Sequence, residues 1–323
     1  MESRRNCAVD MCVEIAGIAM KNPVMVASGT FGFGEEYSKF YDINRLGAVV
    51  TKGITLLPRT GNPPPRLYET PAGLLNSVGL ENPGVERFIA DEWPRLKKLT
   101  VPVIANIDGD TVDEYREIAK RLSDLNGLAA LEVNISCPNV EKGGMAFGQD
   151  PDSAFEVVRA VKEATGLPVI AKLSPNVMNI KKIASAVEAA GADAISLINT
   201  VLGMAIDINR RQPVFHRTFA GLSGPAVKPI ALRMVWEVYE AVKIPIIGMG
   251  GIFTWRDAAE FILAGASAVA VGTAGLVDPE APLKIIDGLE KYLVDCSACE
   301  SALKTSGDDN IIKLRDIVGL AHK

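Results

Sequence analysis

The hexapeptide Asn134-Ile-Ser-Cys137-Pro-Asn139 follows an apolar, β-prone run from Ala129 to Val133, so the thiol of Cys137 is expected where a strand ends and a loop begins. A cysteine so placed can be reactive and still shielded from water. The segment Val140 to Gln149 has three glycines and little periodicity, which suits a loop that covers a pocket. The same pattern also fits an inert cysteine buried at a strand end.

Polar residues or glycines close the other apolar runs as well. The predicted strand ends carry Ser28, Lys52, Asn106, Asn134, Lys172, Asn199 with Thr200, Gly250 with Gly251, and Gly272 with Thr273. Any one of these is unremarkable, but the whole series is hard to explain by solvation. Gly248-Met-Gly-Gly-Ile252 ahead of Thr254, and Val271-Gly-Thr-Ala274, bring bare backbone amides to two successive strand ends. N–H groups at a helix start can cradle a phosphate, and glycine allows close approach; two tight turns that need glycine would look the same. Lys52 and Lys172 facing one cavity suggest anion stabilisation, against the plainer reading of lysines that reach out to solvent. The amides of Asn76, Asn134, Asn139 and Asn199 offer donors and acceptors that suit an imide or pyrimidine-like ligand. Taken one at a time, asparagines are more often turn residues.

The elements that must position these groups alternate regularly. Val9 to Ile15 and Gly17 to Met20 predict a hairpin at the base of a barrel. Strands are then expected at Pro23–Ala27, 47–53, 101–107, before Cys137, at 167–173, 194–200, 244–249 and 268–273. Helices follow near 84–98, from Asp110 or Thr111, from Asp150-Pro151, and over 180–190, 225–242, 254–264 and 282–293. Eight strand–helix units in roughly 270 residues, with strands apolar enough to be covered on both faces, predict a (β/α)8 TIM barrel. Two long connections, Pro58 to Pro71 and Val201 to Ser223, read as active-site loops. A last helix over about 310–318 is expected outside the barrel. No interior linker is evident, so residues 1–323 read as a single domain.

Composition narrows the function classes. The 323 residues are 48% hydrophobic, and the net charge of −5 comes without a basic run. That argues against nucleic acid and acidic membrane surfaces as partners. There is no apolar run of membrane-spanning length, and Asp10 and Glu14 interrupt the segment after Arg4 and Arg5, so a cytoplasmic protein is expected. Five cysteines with two histidines make free thiols more plausible than a disulfide framework; Cys296 and Cys299 lack a second pair for zinc, and no metal site is expected.

In sum, Ala27-Ser-Gly-Thr-Phe-Gly32, Thr51-Lys-Gly53, Asn76-Ser-Val-Gly-Leu-Glu-Asn-Pro-Gly84, Asn134 to Asn139, Leu197-Ile-Asn-Thr200, Gly221-Leu-Ser-Gly-Pro-Ala226, Ile247-Gly-Met-Gly-Gly-Ile252 and Val271-Gly-Thr273 resemble, in order, the catalytic subunits of class 1B dihydroorotate dehydrogenases. The resemblance implies an FMN-binding barrel that oxidises dihydroorotate to orotate. FMN would be held by Ser28, Lys52, Gly53, Asn106, Asn134, Lys172, Ile198, Gly224, Gly250, Gly251, Gly272 and Thr273. The pyrimidine would be held by Lys52, Asn76, Ser77, Val78, Gly79, Leu80, Asn134, Asn139, Asn199 and Thr200. Cys137 matches the catalytic base, assisted by Lys52. It further implies a homodimer core within a heterotetramer, with a second subunit carrying FAD and a 2Fe-2S cluster that passes electrons to NAD. The chain itself has no Gly-x-Gly-x-x-Gly fingerprint and no cluster-like cysteine spacing. The loop Arg210 to Ala220 departs from the family pattern. Related readings are a flavin barrel that reduces uracil or thymine, a non-redox sugar-phosphate barrel, and a flavin carrier without activity of its own.

Overall fold

The structure, a computed structural model, describes residues 8–136, 147–295 and 311–323. Eight short strands, β1 Val24–Val26, β2 Ala48–Val50, β3 Val103–Ile107, β4 Leu128–Asn134, β5 Val169–Lys172, β6 Ala194–Leu197, β7 Ile246–Met249 and β8 Ala268–Val271, form a closed parallel barrel. They pair in chain order, and β8 returns to β1 through Val269–Val24, Ala270–Met25 and Val271–Val26. Except for Ala129, every strand residue is buried, because one face packs into the barrel and the other lies under helices. The expected TIM barrel is therefore the observed fold.

Local chemistry sets where the helices begin. Thr111 caps Val112–Ser123 by accepting from Glu114 N at 3.2 Å, and Asp150 caps Pro151–Ala164 by accepting from Ser153 N at 2.9 Å. Thr254 and Asp257 form a reciprocal capping box at Trp255–Leu263. The helical stretch after β2 is less regular: a π-turn over Phe88–Glu92 separates Val85–Arg87 from Trp93–Leu96, where Pro94 cannot donate a backbone hydrogen bond. The first unit has only the four-residue helix Ser28–Phe31 and two 3-10 turns.

The N-terminal hairpin pairs Val13–Ile15 with Ile18–Met20 and leads directly into the amino end of β1, with Val13, Ile15, Ile18 and Met20 buried. The expected C-terminal helix is corrected: Ile311–Lys313 is a strand that pairs in parallel with Ala8–Asp10, and Leu314–Ile317 is a 3-10 turn. Pairing with the N-terminal strand, together with burial of Leu314 and Ile317, takes precedence over local helical spacing.

The two long connections are also more ordered than loops. Val201–Gly203, Ala220–Ser223, Gly73–Asn76 and Leu67–Thr70 form a four-stranded antiparallel sheet in that spatial order. Since these segments leave β2 and β6 at their carboxyl ends, the sheet lies over the mouth of the barrel.

Candidate active site

A cavity of about 800 Å³ opens at that mouth, within the size range of small-molecule and cofactor sites. Every described residue expected in the site lines it: Ser28, Lys52, Gly53, Asn106, Asn134, Lys172, Ile198, Asn199, Thr200, Gly250, Gly251, Gly272 and Thr273 from the barrel side, and Asn76, Ser77, Val78, Gly79, Leu80 and Gly224 from the covering sheet and its loops. Cys137 and Asn139 lie outside the described residues, as do Cys296 and Cys299. Among the described residues no cluster of three His, Cys, Asp or Glu side chains could hold a metal.

The two lysines differ in their surroundings. Lys172, at the end of β5, is buried; its Nζ donates to Ser28 Oγ at 2.9 Å and lies 3.9 Å from Glu132 Oε2. Glu132 accepts further from Asn106 Nδ2 at 2.6 Å and from Ser196 Oγ at 2.7 Å. This buried pair is thus hydrogen-bonded on several sides, the condition for tolerating ionic groups in a barrel interior. Lys52 is partly exposed, with Nζ 3.9 Å from Glu81 Oε2, and Arg66 Nη1 holds the same Glu81 oxygen at 2.7 Å.

The asparagines are largely oriented by protein partners. Asn134 Nδ2 donates to Asp108 Oδ2 at 2.6 Å, while its Oδ1 accepts from Ser136 Oγ and from Asn199 Nδ2 at 3.4 Å. Asn199 Oδ1 accepts from Thr200 N at 2.9 Å, and Asn76 Nδ2 reaches across the covering sheet to Gly221 O at 3.0 Å. Asn62 braces the loop below Asn76 by donating to Ser77 Oγ at 3.0 Å. Gly53 packs closely on Asn106: a Cβ there would lie 3.0 Å from Asn106 Oδ1, so any side chain would press on that amide.

At the ends of β7 and β8 the backbone itself is the functional group. Gly250 and Gly251 have φ of +121° and +77°, and a Cβ on Gly251 would lie 2.6 Å from Lys228 Cβ. Thr273 opens the helix Thr273–Val277; in its first turn Gly275 N donates to Gly272 O at 2.9 Å, while the amides of Thr273 and Ala274 precede the first intrahelical bond. Its hydroxyl donates to Ser223 Oγ at 2.8 Å, joining the glycine end of β8 to the covering sheet.

Sequence reasoning missed Glu132, Asp108, Ser136 and Asn176. Glu132 had a signal: it is the one acidic residue in an apolar strand, two positions before Asn134, and so on the same inward face. Asn176 accepts from Leu202 N at 2.9 Å and donates to Thr200 O at 3.0 Å, a contact between two loops that has no local signature. Arg217 and Phe219, from the divergent loop, line the outer part of the cavity.

The family described as dihydroorotate dehydrogenase matches residues 10–293. A protein of Desulforamulus reducens named "Dihydroorotate dehydrogenase B (NAD(+)), catalytic subunit" is 57% identical over 314 residues, which cover 97% of this chain and 99% of that protein. Proteins of the same name from Desulforudis audaxviator and Thermoanaerobacter pseudethanolicus are each 56% identical, over 98% and 88% of this chain and 98% and 94% of their own. With a closed (β/α)8 barrel, a polar mouth and a match over most of its length, the chain belongs to the dihydroorotate dehydrogenase family.

Proposed function

We propose that this protein oxidises dihydroorotate to orotate in pyrimidine biosynthesis, as the catalytic subunit of a class 1B enzyme. The carrying observation is the near full-length similarity to proteins named as that subunit, in a chain whose described candidate residues all converge on one cavity. Flavin dependence goes with the family, and we take FMN as the flavin. The fit rests on the glycine-only backbone at Gly250 and Gly251, the open amides at Thr273, and a cavity of about 800 Å³.

The phosphate would lie against Gly250, Gly251, Gly272 and Thr273, and the ring system would be bounded by Ser28, Lys52, Gly53, Asn106, Asn134, Lys172, Ile198 and Gly224. FMN supplies a hydride acceptor when bound. Cys137, as thiolate, would take the proton from C5 of dihydroorotate. A thiol of ordinary pKa is only a few per cent ionised at neutral pH, so nearby positive charge from Lys52 would help it. Asn76, the loop Ser77 to Leu80, Asn134, Asn139, Asn199 and Thr200 would hold the planar pyrimidine. Lys172, already paired with Glu132, would contribute a fixed N–H donor rather than surplus charge.

The relatives' name includes NAD(+) and a catalytic subunit. For this chain we propose a separate electron-transfer subunit bearing FAD and a 2Fe-2S cluster, around a homodimer of single-domain barrels in the cytoplasm. Among the described residues no helix is long and apolar enough to cross a membrane.

Anaerobic mixing of the purified yellow protein with dihydroorotate tests the reading. Bleaching of the flavin bands is expected. Bleaching by dihydrouracil instead, or no bleaching, would overturn it.

A further inference from the structure

Two amide–carboxylate pairs cross between β3 and β4 in opposite senses. Asn106 Nδ2 donates to Glu132 Oε2 at 2.6 Å, and one step nearer the mouth Asn134 Nδ2 donates to Asp108 Oδ2 at 2.6 Å. The strand register Asn106–Glu132 and Ile107–Val133 leads directly to this second rung. The two carboxylates are closed differently. Glu132 receives Ser196 Oγ and has Lys172 Nζ at 3.9 Å, so its charge is compensated. Asp108 is 0% exposed, and among the described residues no group hydrogen-bonds to its Oδ1.

The groups that act on Asp108 come from every side of it. Burial pushes its carboxyl up to about 8; Arg59 from the loop after β2, the Asn134 hydrogen bond and Lys172 on β5 pull it down, while Asp110 in the following turn pushes it further up. Arg59 is itself engaged by Asp110 at 2.7 Å, and Asp110 N donates to Glu114 on the next helix. Tyr115 on that helix, with its hydroxyl on Asn134 O at 2.7 Å, faces the same rung. Complete burial and an Oδ1 without a hydrogen-bond partner both favour the protonated carboxyl over the carboxylate. Since Oδ2 accepts from Asn134, the proton belongs on Oδ1.

The consequence is felt at the cavity wall, which Asn134 lines and Asp108 does not. With Oδ1 of Asn134 engaged by Ser136 and Asn199, and Nδ2 pinned to Asp108, the carboxamide cannot rotate without losing several hydrogen bonds. It offers a ligand its remaining N–H, a donor suited to a pyrimidine carbonyl.

We propose that Asp108 is a positioning residue for the pyrimidine site: from behind the wall it fixes the Asn134 carboxamide donor-side toward the ligand. This rests on the functional reading above. An ionised Asp108 would set a negative charge behind a site that takes the orotate anion, so ionisation and binding oppose each other. Orotate affinity then falls as pH rises through the range where Asp108 ionises, and binding takes up a proton.

The test uses the full-length flavin-loaded protein, with orotate titrations followed by the flavin absorbance change from pH 6 to 9. In the wild type, affinity is expected to fall by up to about tenfold between pH 7 and 9, the most that a single group ionising near pH 8 can give over that range. Asp108→Asn keeps an acceptor for Asn134 and should lose this Asp108-dependent step. Asp108→Leu removes the acceptor and should weaken orotate by about tenfold at pH 7. Infrared spectra of the ligand-free protein should show a carboxylic-acid C=O band that disappears as pH rises and is missing from Asp108→Asn. An Asp108→Asn profile that follows the wild type, or no such band, overturns the inference while leaving the functional reading intact. A wild-type protein whose flavin ignores orotate at every pH overturns both.

Discussion

Lys172 ends β5 and Lys52 lies two residues beyond β2, yet one is buried against a carboxylate and the other is partly open to solvent. Removing the first strands Glu132 inside the barrel. Lys172→Met is expected to cost about 3–5 kcal/mol in urea denaturation, and adding Glu132→Gln should recover much of it, because the uncompensated charge has gone. For Cys137 the expectation is kinetic. Cys137→Ala should slow flavin reduction by dihydroorotate by about two to four orders of magnitude in anaerobic stopped flow, with flavin content unchanged. Asp108 makes a thermodynamic prediction. Its folded pKa is raised from 3.8 to about 8, so between those values the unfolded chain has already released a proton that the folded chain retains. Stability from this group is therefore greatest below the unfolded value and declines as pH rises toward about 8. The melting temperature of Asp108→Asn relative to wild type should rise between pH 5 and pH 8; a difference independent of pH would contradict the assignment. Lys52, Asn134 and Lys172 were legible from the sequence because each interrupts or ends an apolar run. Asp108 was not, since its character comes from burial and from neighbours on other elements.

At the scale of elements, the barrel strands and their caps are local features, whereas the sheet over the mouth is not. Gly73–Asn76 pairs with Ala220–Ser223 across most of the barrel's length in sequence, and such distant pairing leaves no periodic trace in four-residue segments. For that reason both connections read as loops. The glycine end of β7 lends itself to an element-level test. Gly251→Ala would force a side chain into φ +77° and bring Cβ within 2.8 Å of the Lys228 backbone N, so the turn must shift. The purified variant is expected to carry much less flavin per protein, measured by absorbance ratio, and full occupancy would count against phosphate binding at this turn.

For the molecule as a whole, the strand pair Ala8–Asp10 with Ile311–Lys313 joins the two ends of the described chain, and Leu314 and Ile317 then pack into the main core. Leu314 is fully buried, so Leu314→Ala should lower the unfolding free energy by about 2–5 kcal/mol, while orotate affinity at 25 °C stays as in the wild type. The sequence by itself determined the eight-unit barrel, the polar and glycine strand ends, and the family motifs, because strand period, helix caps and turn residues are local properties of the chain. Only the tertiary structure decided the sheet over the mouth, the strand at the C-terminal end, and the opposed Asn106–Glu132 and Asn134–Asp108 rungs. Those depend on contacts between residues far apart in sequence, and on burial that no single segment can show.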